Sequence, residues 1–222
     1  MSEPTPCPLS DESPKRRQIV DAATDLFLAQ GFGAVSMDGV ARAAGVSKAT
    51  LYAYFASKDE LFVTIQRERG VSNKLDDSLF PEEVPDLRAA LHSLGLRVLR
   101  FMLQERTIAI HRMVISEVPR SPALGRTFYA NGPEKFFTYC RPWLAMLQTR
   151  GLLRPCSIDV ATEHLLALLR SSLFLRATLG VPPAPTEADI ERYVANAVDT
   201  WMRAFCAEHV RPPGFIAPAD CA

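Results

Sequence analysis

Apolar side chains recur at intervals of three and four residues along most of the chain, which is the pattern of α-helices with one buried face. In the N-terminal third, Ser13-Pro14 is a typical helix start. Three further helices follow, and the capping residues Ser36, Ser47 and Ser57 open them. The pattern therefore predicts helices at about 14–30, 36–44 and 47–55, and a fourth from 57 onward.

The rest of the chain has the same helical period after an acidic, proline-containing segment at 76–85, where we place a domain boundary. The last helix has a T-x-x-D capping sequence at Thr186 and an apolar stripe that includes Trp201. No segment alternates between apolar and polar residues as a half-buried strand does. The predicted helices lie at about 87–102, 108–118, 121–131, 134–150, 157–179 and 186–209, so the predicted fold class is all-α.

The composition is that of a globular protein, with 48% hydrophobic and 23% charged residues. Lysine and arginine together number 25, as do aspartate and glutamate, so the molecule as a whole offers no attractive field to nucleic acid. Any DNA-binding surface must therefore be local. Between positions 14 and 58, six cations stand against three anions. The cations are Lys15, Arg16, Arg17, Arg42, Lys48 and Lys58.

Several functional classes find no support in the sequence. The first residues lack the basic and apolar regions of a secretory signal, so we expect a cytoplasmic protein. The longest apolar stretch, at 165–179, is interrupted by Arg170 and Arg176 and does not predict a membrane span. A nucleophile elbow, a P-loop and a dinucleotide fingerprint are all missing, so we expect no enzyme.

The cysteines indicate neither a metal site nor a cofactor. They stand at 7, 140, 156, 206 and 221, without a C-x-x-C pair or a Cys/His cluster. We expect reduced, structural thiols, because buried cysteine usually behaves as a small hydrophobic residue. A thiol sensor at Cys140 or Cys156 is the alternative.

Residues 36–55 combine a short helix, a turn containing Gly45 and a second short helix, which is the arrangement of a helix-turn-helix. Spacing alone is weak evidence, because many helical hairpins have a glycine in the turn. At about 100° per residue, Leu51 and Phe55 project to one side of the second helix and predict its buried face. The opposite side is slim enough to enter a major groove about 12 Å wide. It carries Ala49, Thr50, Ala53 and Tyr54.

Polar groups around this second helix suit contacts to the DNA backbone. Ser36 and Ser47 lie at helix N-termini, whose free N–H groups suit phosphates. Lys48 can donate to guanine or to a phosphate. Solvated surface charge is the other interpretation of Lys48, Arg42 and Lys58, but their convergence around one polar face favours DNA.

Residues 35–62 of this chain read VSMDGVARAAGVSKATLYAYFASKDELF. They closely resemble the signature of the TetR/AcrR family of transcriptional regulators. The resemblance covers residues 14–65. It implies an all-α homodimer that usually represses, binds a palindromic operator in double-stranded DNA, and releases it when a small molecule enters the C-terminal domain. By position, the DNA-contacting set is Ser36, Arg42, Ser47, Lys48, Ala49, Thr50, Tyr52, Tyr54 and Lys58.

Residues 119–134 are similar to the C-terminal domain of the AefR-like branch of that family. C-terminal domains vary most within the family, so the resemblance does not identify the ligand. One departure from the family pattern is Gly39, inside the second helix, where a better helix former is common.

The predicted organisation has five segments. An N-terminal three-helix helix-turn-helix DNA-binding domain is joined by a connecting helix to a helical ligand-binding and dimerisation domain. The segments are a flexible tail at 1–12, the DNA-binding domain at 13–56, the connecting helix at 57–75, the ligand-binding and dimerisation domain at 76–209 and a proline-rich tail at 210–222.

The C-terminal domain concentrates aromatic residues and methionines with a few polar tips, which suits an apolar effector oriented by few hydrogen bonds. The alternative is that these side chains only form the core. For His111, a core or rim position is favoured over a ligand switch. The predicted ligand-contacting residues are Phe101, His111, Met113, Tyr129, Phe137, Trp143 and Met146.

The segment 165–179 is apolar on nearly all sides, as in a helix buried on more than one face. We therefore expect it to form a four-helix bundle with the last helix across a two-fold axis, which would set two recognition helices one DNA turn apart. The predicted interface residues are Leu165, Leu169, Leu173, Val194, Val198 and Trp201. A helical protein-interaction adaptor without sequence-specific DNA binding is the alternative function.

Overall fold

The computed structural model describes residues 13–69, 79–170 and 172–210. The tails predicted at 1–12 and 210–222 lie outside the described residues, apart from Val210. No described helix has both the length and the apolar content needed to cross a membrane. The helices are α1 (Pro14–Gln30), α2 (Met37–Ala43), α3 (Lys48–Tyr54), α4 (Lys58–Arg69), α5 (Leu87–Met102), α6 (Glu105–Glu117), α7 (Pro122–Asn131), α8 (Pro133–Thr149), α9 (Ile158–Leu169), α10 (Ser172–Leu179) and α11 (Glu187–Phe205).

Capping residues identified in the sequence open α2, α3, α4 and α11, whereas the Ser13 side chain makes no capping hydrogen bond at α1. The Ser36 side chain accepts a hydrogen bond from the Gly39 backbone N–H, and Ser157 does the same at the start of α9. At α11, Thr186 and Asp189 form a reciprocal capping box. These bonds satisfy N–H groups that have no partner within the helix. The all-α prediction is confirmed over the described residues.

The helix predicted at 157–179 is divided in two. The first part, α9, ends at Leu169, and α10 begins at Ser172. Apolar spacing continues across the break, so periodicity could not reveal it. The serines at 171 and 172 are weak helix formers, since their hydroxyls compete for backbone hydrogen bonds.

The described residues separate into two compact units. The first contains α1–α4 together with residues 109–131, and the second contains residues 79–108 and 132–210. The division predicted at residue 76 therefore needs a correction, because α7 and most of α6 belong with the N-terminal helices. Met113, Val114 and Leu124 are buried in the same apolar cluster as the α1–α4 core, which explains their place.

Aromatic rings form the centre of the first unit. The ring centroids of Phe27 and Phe32 are 5.1 Å apart, and those of Phe32 and Phe62 are 5.5 Å apart. Leu51 is fully buried against this cluster. Phe27 lies on α1, Phe32 on the turn after it and Phe62 on α4, so one cluster of rings connects the elements that surround α3.

The second unit is built around α11, which packs on α5 and α9. Trp201 of α11 is fully buried, and its Nε1–H donates to the Ala161 carbonyl at 2.8 Å. Gly95 of α5 lies so close to α11 that a Cβ atom there would be 2.7 Å from Val194 Cγ1. Gly95 thus leaves the space on α5 that the Val194 and Leu169 side chains occupy.

Candidate nucleic-acid interface

Of the four residues that the helical projection places outward on α3, Ala49 and Ala53 are exposed, while Thr50 and Tyr54 are half-buried. Leu51 and the C-cap residue Phe55 are buried in the core of the first unit. Ala49, Tyr52 and Ala53 are exposed, and 51% of the Tyr52 surface is accessible. The outward face therefore carries two methyl groups and a phenol, with the exposed Lys48 side chain one turn before Tyr52.

Serine hydroxyls fix the start of α3. The Ser47 Oγ accepts a hydrogen bond from the Thr50 backbone N–H at 3.0 Å and lies 2.8 Å from the Thr50 Oγ1. Thr50 is half-buried, and its hydroxyl is therefore engaged at the helix N-terminus. Ser36 caps α2 in the same way, with its Oγ 3.1 Å from the Gly39 nitrogen.

Tyr54 lies differently from the prediction that grouped it with the outward alanines. It is half-buried, and its hydroxyl lies 2.9 Å from the Ser13 Oγ at the start of α1. Its ring is 6.4 Å from that of Phe55. The structure thus corrects the assignment of Tyr54, because its phenol packs between α3 and α1.

Lys58 is committed to the turn between α1 and α2. Its Nζ donates to the carbonyl oxygens of Phe32 at 2.7 Å, Gly33 at 3.3 Å and Val35 at 3.0 Å. The ammonium also lies 4.5 Å from the centroid of the Phe32 ring. An ammonium has three donors, and all three have acceptors here. Lys58 therefore holds the turn, and no donor is left over for a phosphate.

The other two predicted cations are at the surface. Lys48 is exposed and forms an ion pair with Asp38 of α2. Arg42, in the last turn of α2, is exposed, and its guanidinium has no partner among the described residues. An exposed ion pair contributes little to stability, so Lys48 can exchange Asp38 for another anion at small cost.

Glu117 contacts the turn between α1 and α2, and the sequence pattern does not predict this contact. It is buried at the end of α6, and its carboxylate lies against the turn between α1 and α2. A Cβ atom at Gly33 would be 2.9 Å from Oε2 of Glu117. Gly31 lies against the same carboxylate and has a φ of +82°, which favours glycine. No local signal identifies this contact, because Glu117 is 84 positions away from Gly33 in the sequence.

The predicted ligand-contacting residues are divided between the two units. Phe101, Phe137 and Trp143 are buried together in the core of the second unit, where Met146 packs against them. The Trp143 Nε1–H donates to the Pro81 carbonyl at 3.0 Å.

The other three predicted ligand contacts belong to the first unit. Met113 is buried in its core, and the His111 ring lies 5.5 Å from that of Phe128. Tyr129 is 51% exposed on α7. The set predicted as one pocket thus consists of two groups with different surroundings.

The predicted dimer-interface residues are core residues of the protomer. Five of them are fully buried within it, and Leu173 is half-buried. A side chain that is already inside its own core has no surface to offer a partner, so this assignment was wrong. The five are Leu165, Leu169, Val194, Val198 and Trp201.

Cys140 and Cys156, the two thiols considered as possible sensors, have different surroundings. Cys140 is fully buried, and burial raises the pKa of its thiol far above the ordinary value. Cys156 is half-buried and receives a hydrogen bond from the Gln148 side chain. Within the described ranges, no cluster of histidine, cysteine, aspartate or glutamate could hold a metal ion.

Two family models match the chain over the regions just described. Residues 19–65 match the model of bacterial regulatory proteins of the tetR family, and residues 89–207 match the C-terminal domain of AefR-like transcriptional repressors. The chain belongs to the TetR family. It is a transcriptional regulator with an N-terminal helix-turn-helix domain, and the resemblance in residues 35–62 is confirmed.

Two known relatives align with more than half of this TetR-family chain. It is 30% identical over 175 residues to the uncharacterised regulator YhgD of Bacillus subtilis, covering 72% of this chain and 83% of YhgD. It is 35% identical over 122 residues to MftR of Mycobacterium tuberculosis, which is named for regulation of mycofactocin biosynthesis. That match covers 52% of this chain and 59% of MftR, which is less than two thirds of its length.

Solved structures of TetR-family proteins have the same fold. A regulator from Mesorhizobium loti gives a TM-score of 0.75 at 25% identity and covers 89% of this chain and 100% of its own. The flavonoid-responsive regulator FrrA gives a TM-score of 0.69 at 34% identity and covers 87% of this chain and 98% of its own. These relatives are regulators, and this TetR-family protein is not an enzyme.

Proposed function

We propose that this TetR-family protein is a ligand-responsive repressor that binds a palindromic operator as a homodimer. The observation that carries the proposal is the outward face of α3. Ala49 and Ala53 permit close approach to the edges of the bases, and their methyl groups suit contact with thymine methyls. Tyr52 is the one large side chain on that face, and its phenol can reach a base or a phosphate.

The neighbouring groups supply backbone contacts. Arg42 has a guanidinium with no partner among the described residues, and Lys48 holds only an exposed ion pair. Ser36 and Ser47 position the N-termini of α2 and α3. Lys58 contributes indirectly in this proposal, because its ammonium holds the turn that supports α2. Tyr54 likewise positions α3 through Ser13.

A second copy of this chain is the partner that we assign to α10. Leu175 and Leu179 are 58% and 67% exposed on one face of that helix. Two leucines one helical turn apart form an apolar strip, and burial in a symmetric contact would stabilise a dimer. Dimerisation is typical of the TetR family, and a palindromic operator requires two recognition helices about 34 Å apart.

We assign a small, largely apolar effector to the second unit. Phe101, Phe137 and Trp143 are buried there in one cluster with Met146 against it, and methionine adapts easily to a new neighbour. FrrA, which is named as flavonoid-responsive, is 34% identical to this chain and supports a flat aromatic effector. Binding among these rings would expand the core and shift the operator-binding state.

A direct test measures fluorescence anisotropy of labelled DNA fragments from upstream of the protein's own gene. We expect the wild type to bind one fragment and to prefer it over a scrambled fragment. Tyr52→Ala should lower the affinity for that fragment about tenfold or more, since each operator has two copies of the contact. Addition of flavonoid-like aromatics should release the DNA.

Tyr129→Ala is the matched control, because Tyr129 is also 51% exposed but lies on α7. It should leave the operator affinity unchanged. Equal binding of Tyr52→Ala and the wild type would place the groove face elsewhere. Equal affinity of the wild type for the upstream and the scrambled fragments would favour the helical adaptor instead.

A further inference from the structure

Three consecutive basic residues open α1, and the structure uses them differently. Arg16 forms an ion pair with Glu68 of α4, and its guanidinium carbon lies 5.5 Å from the centroid of the Phe55 ring. Lys15 and Arg17 are exposed, and their side chains have no hydrogen bond or ion pair to any described residue. The middle cation is therefore structural, and the outer two have no polar contact with the described residues that would give them a structural role.

The start of α1 is held against the end of α3. The Tyr54 hydroxyl lies 2.9 Å from the Ser13 Oγ, and Arg16 lies over Phe55, the C-cap of α3. Two consecutive residues of α3 thus fix the first turn of α1. At about 100° per residue, Lys15 and Arg17 project on either side of Arg16. They therefore flank the line along which α1 meets the end of the recognition helix.

The two ends of α3 differ in their own charges. Its N-terminal end has Lys48 and, on the adjacent helix, Arg42. Its C-terminal half, Leu51–Phe55, contains no charged residue. Without a contribution from α1, the C-terminal end of α3 would meet the DNA without a cation.

The size of α3 matches the groove that it is proposed to enter. A helix of 7 residues is about 10 Å long, and the major groove is about 12 Å wide between its two phosphate backbones. When the N-terminal end meets one backbone through Arg42 and Lys48, the C-terminal end lies beside the other. The Arg17 side chain is accessible, because it lines an open groove with Pro14, Gln18 and Asp21.

We propose that Lys15 and Arg17 form a second phosphate clamp, which binds the DNA backbone at the C-terminal end of α3. This clamp rests on the proposed operator binding. It adds Lys15 and Arg17 to the residues that contact the DNA backbone. The clamp explains why only the middle residue of Lys15-Arg16-Arg17 is tied into the protomer. It also supplies a local cationic field in a chain with 25 cationic and 25 anionic side chains.

The test measures the operator affinity of the full chain by fluorescence anisotropy at several salt concentrations. Each phosphate contact contributes about 0.9 to the slope of log K against log salt concentration. The double variant Lys15→Ala, Arg17→Ala removes four contacts from a dimer, so the slope should become shallower by about 3 to 4. Affinity at low salt should fall at least about tenfold, without a change in the circular dichroism spectrum.

Two further double variants make the result specific. Lys15→Arg, Arg17→Lys keeps both charges and should restore the wild-type slope. Arg126→Ala, Arg154→Ala removes the same charge from two exposed positions outside α1–α4 and should leave the slope within about one unit of wild type.

An unchanged slope for Lys15→Ala, Arg17→Ala would overturn the clamp while leaving operator binding intact. An equal loss in the Arg126, Arg154 control would also overturn it, because the effect would then be one of net charge. Failure of the wild type to prefer the upstream fragment would overturn the proposed function together with the clamp.

Discussion

Two short helices, α3 and α10, each leave one face without a partner, and the two faces have opposite chemistry. The outward side of α3 has Ala49, Tyr52 and Ala53, whereas the outward side of α10 has Leu175 and Leu179. Both helices are anchored from behind, α3 by Leu51 and α10 by Phe174, so their inner faces are alike. The two helices differ in the side chains that they expose to solvent.

The chemistry of an unpartnered face indicates which class of molecule binds it. Leucines one turn apart gain free energy only by leaving water, about 25 cal/mol per Å² of apolar surface, so α10 suits a second protein surface. Small side chains and a phenol gain little from such burial, and a groove lined by base edges suits α3 better. Four variants test these assignments and the packing behind them.

The largest effect is expected at α10. The double variant Leu175→Glu, Leu179→Glu places two charges on the apolar strip that we propose contacts the partner copy. This variant should be monomeric at about 10 µM. Operator affinity should fall at least about 100-fold, because one recognition helix must then bind alone. Light scattering after gel filtration measures the mass. Ile115→Glu, at a position that is 56% exposed on α6, is the control, and a persistent dimer would contradict the assignment of α10.

A core substitution in the second unit should have the next largest effect. A Cβ atom at Gly95 would lie 2.7 Å from Val194 Cγ1 and 3.0 Å from Leu169 Cδ2. Gly95→Ala should therefore lower the free energy of unfolding by about 1–3 kcal/mol, because packed side chains must move. Urea denaturation followed by circular dichroism measures this change. Unaltered stability would mean that α5 and α11 are less closely packed than the structure shows.

Lys58 distinguishes a structural cation from a DNA-binding one. Lys58→Met removes three hydrogen bonds to turn carbonyls and should destabilise the protein by about 2 kcal/mol. The salt slope of operator binding should stay at the wild-type value, since no phosphate contact is lost. A slope that becomes shallower by about 2 would show instead that Lys58 binds phosphate in both protomers.

The smallest effect is expected at Gly39, and it has the opposite sign. This glycine lies inside α2, and a Cβ atom there would meet only the Ser36 Oγ at 3.4 Å, an ordinary contact. Gly39→Ala should raise the free energy of unfolding by about 0.5–1 kcal/mol, because alanine loses less conformational entropy in a helix. Thermal denaturation monitors this gain. A loss of stability would mean that α2 needs the flexibility of glycine.

Local signals were sufficient for most of the candidate site. Ser47 was identified as a cap from its place before a helix, and Leu51 was identified as buried from the helical projection. The family signature needed no structure either, because it is contiguous in the sequence. Tyr54 and Lys58 could each contact DNA or a neighbour within the protomer. The sequence pattern placed both in the DNA-contacting set, and the structure shows internal partners.

The predictions for the C-terminal domain were weaker for a physical reason. An apolar helix such as 165–179 must be buried, but its composition does not say whether its own chain or another copy buries it. Leu165 and Trp201 were therefore assigned to an interface and are in fact core. Leu175 and Leu179 have the same residue type as Leu165, and only their exposure distinguishes them.

Residues within a few turns of one another were enough to predict most of the helices, four of their caps, the family and the buried side of α3. Three features come from the fold instead: α7 and most of α6 join the N-terminal unit, Glu117 lies against Gly33, and turn carbonyls hold Lys58. Those contacts join positions far apart in the chain, where packing selects one neighbour among many of similar chemistry and no local pattern records the choice.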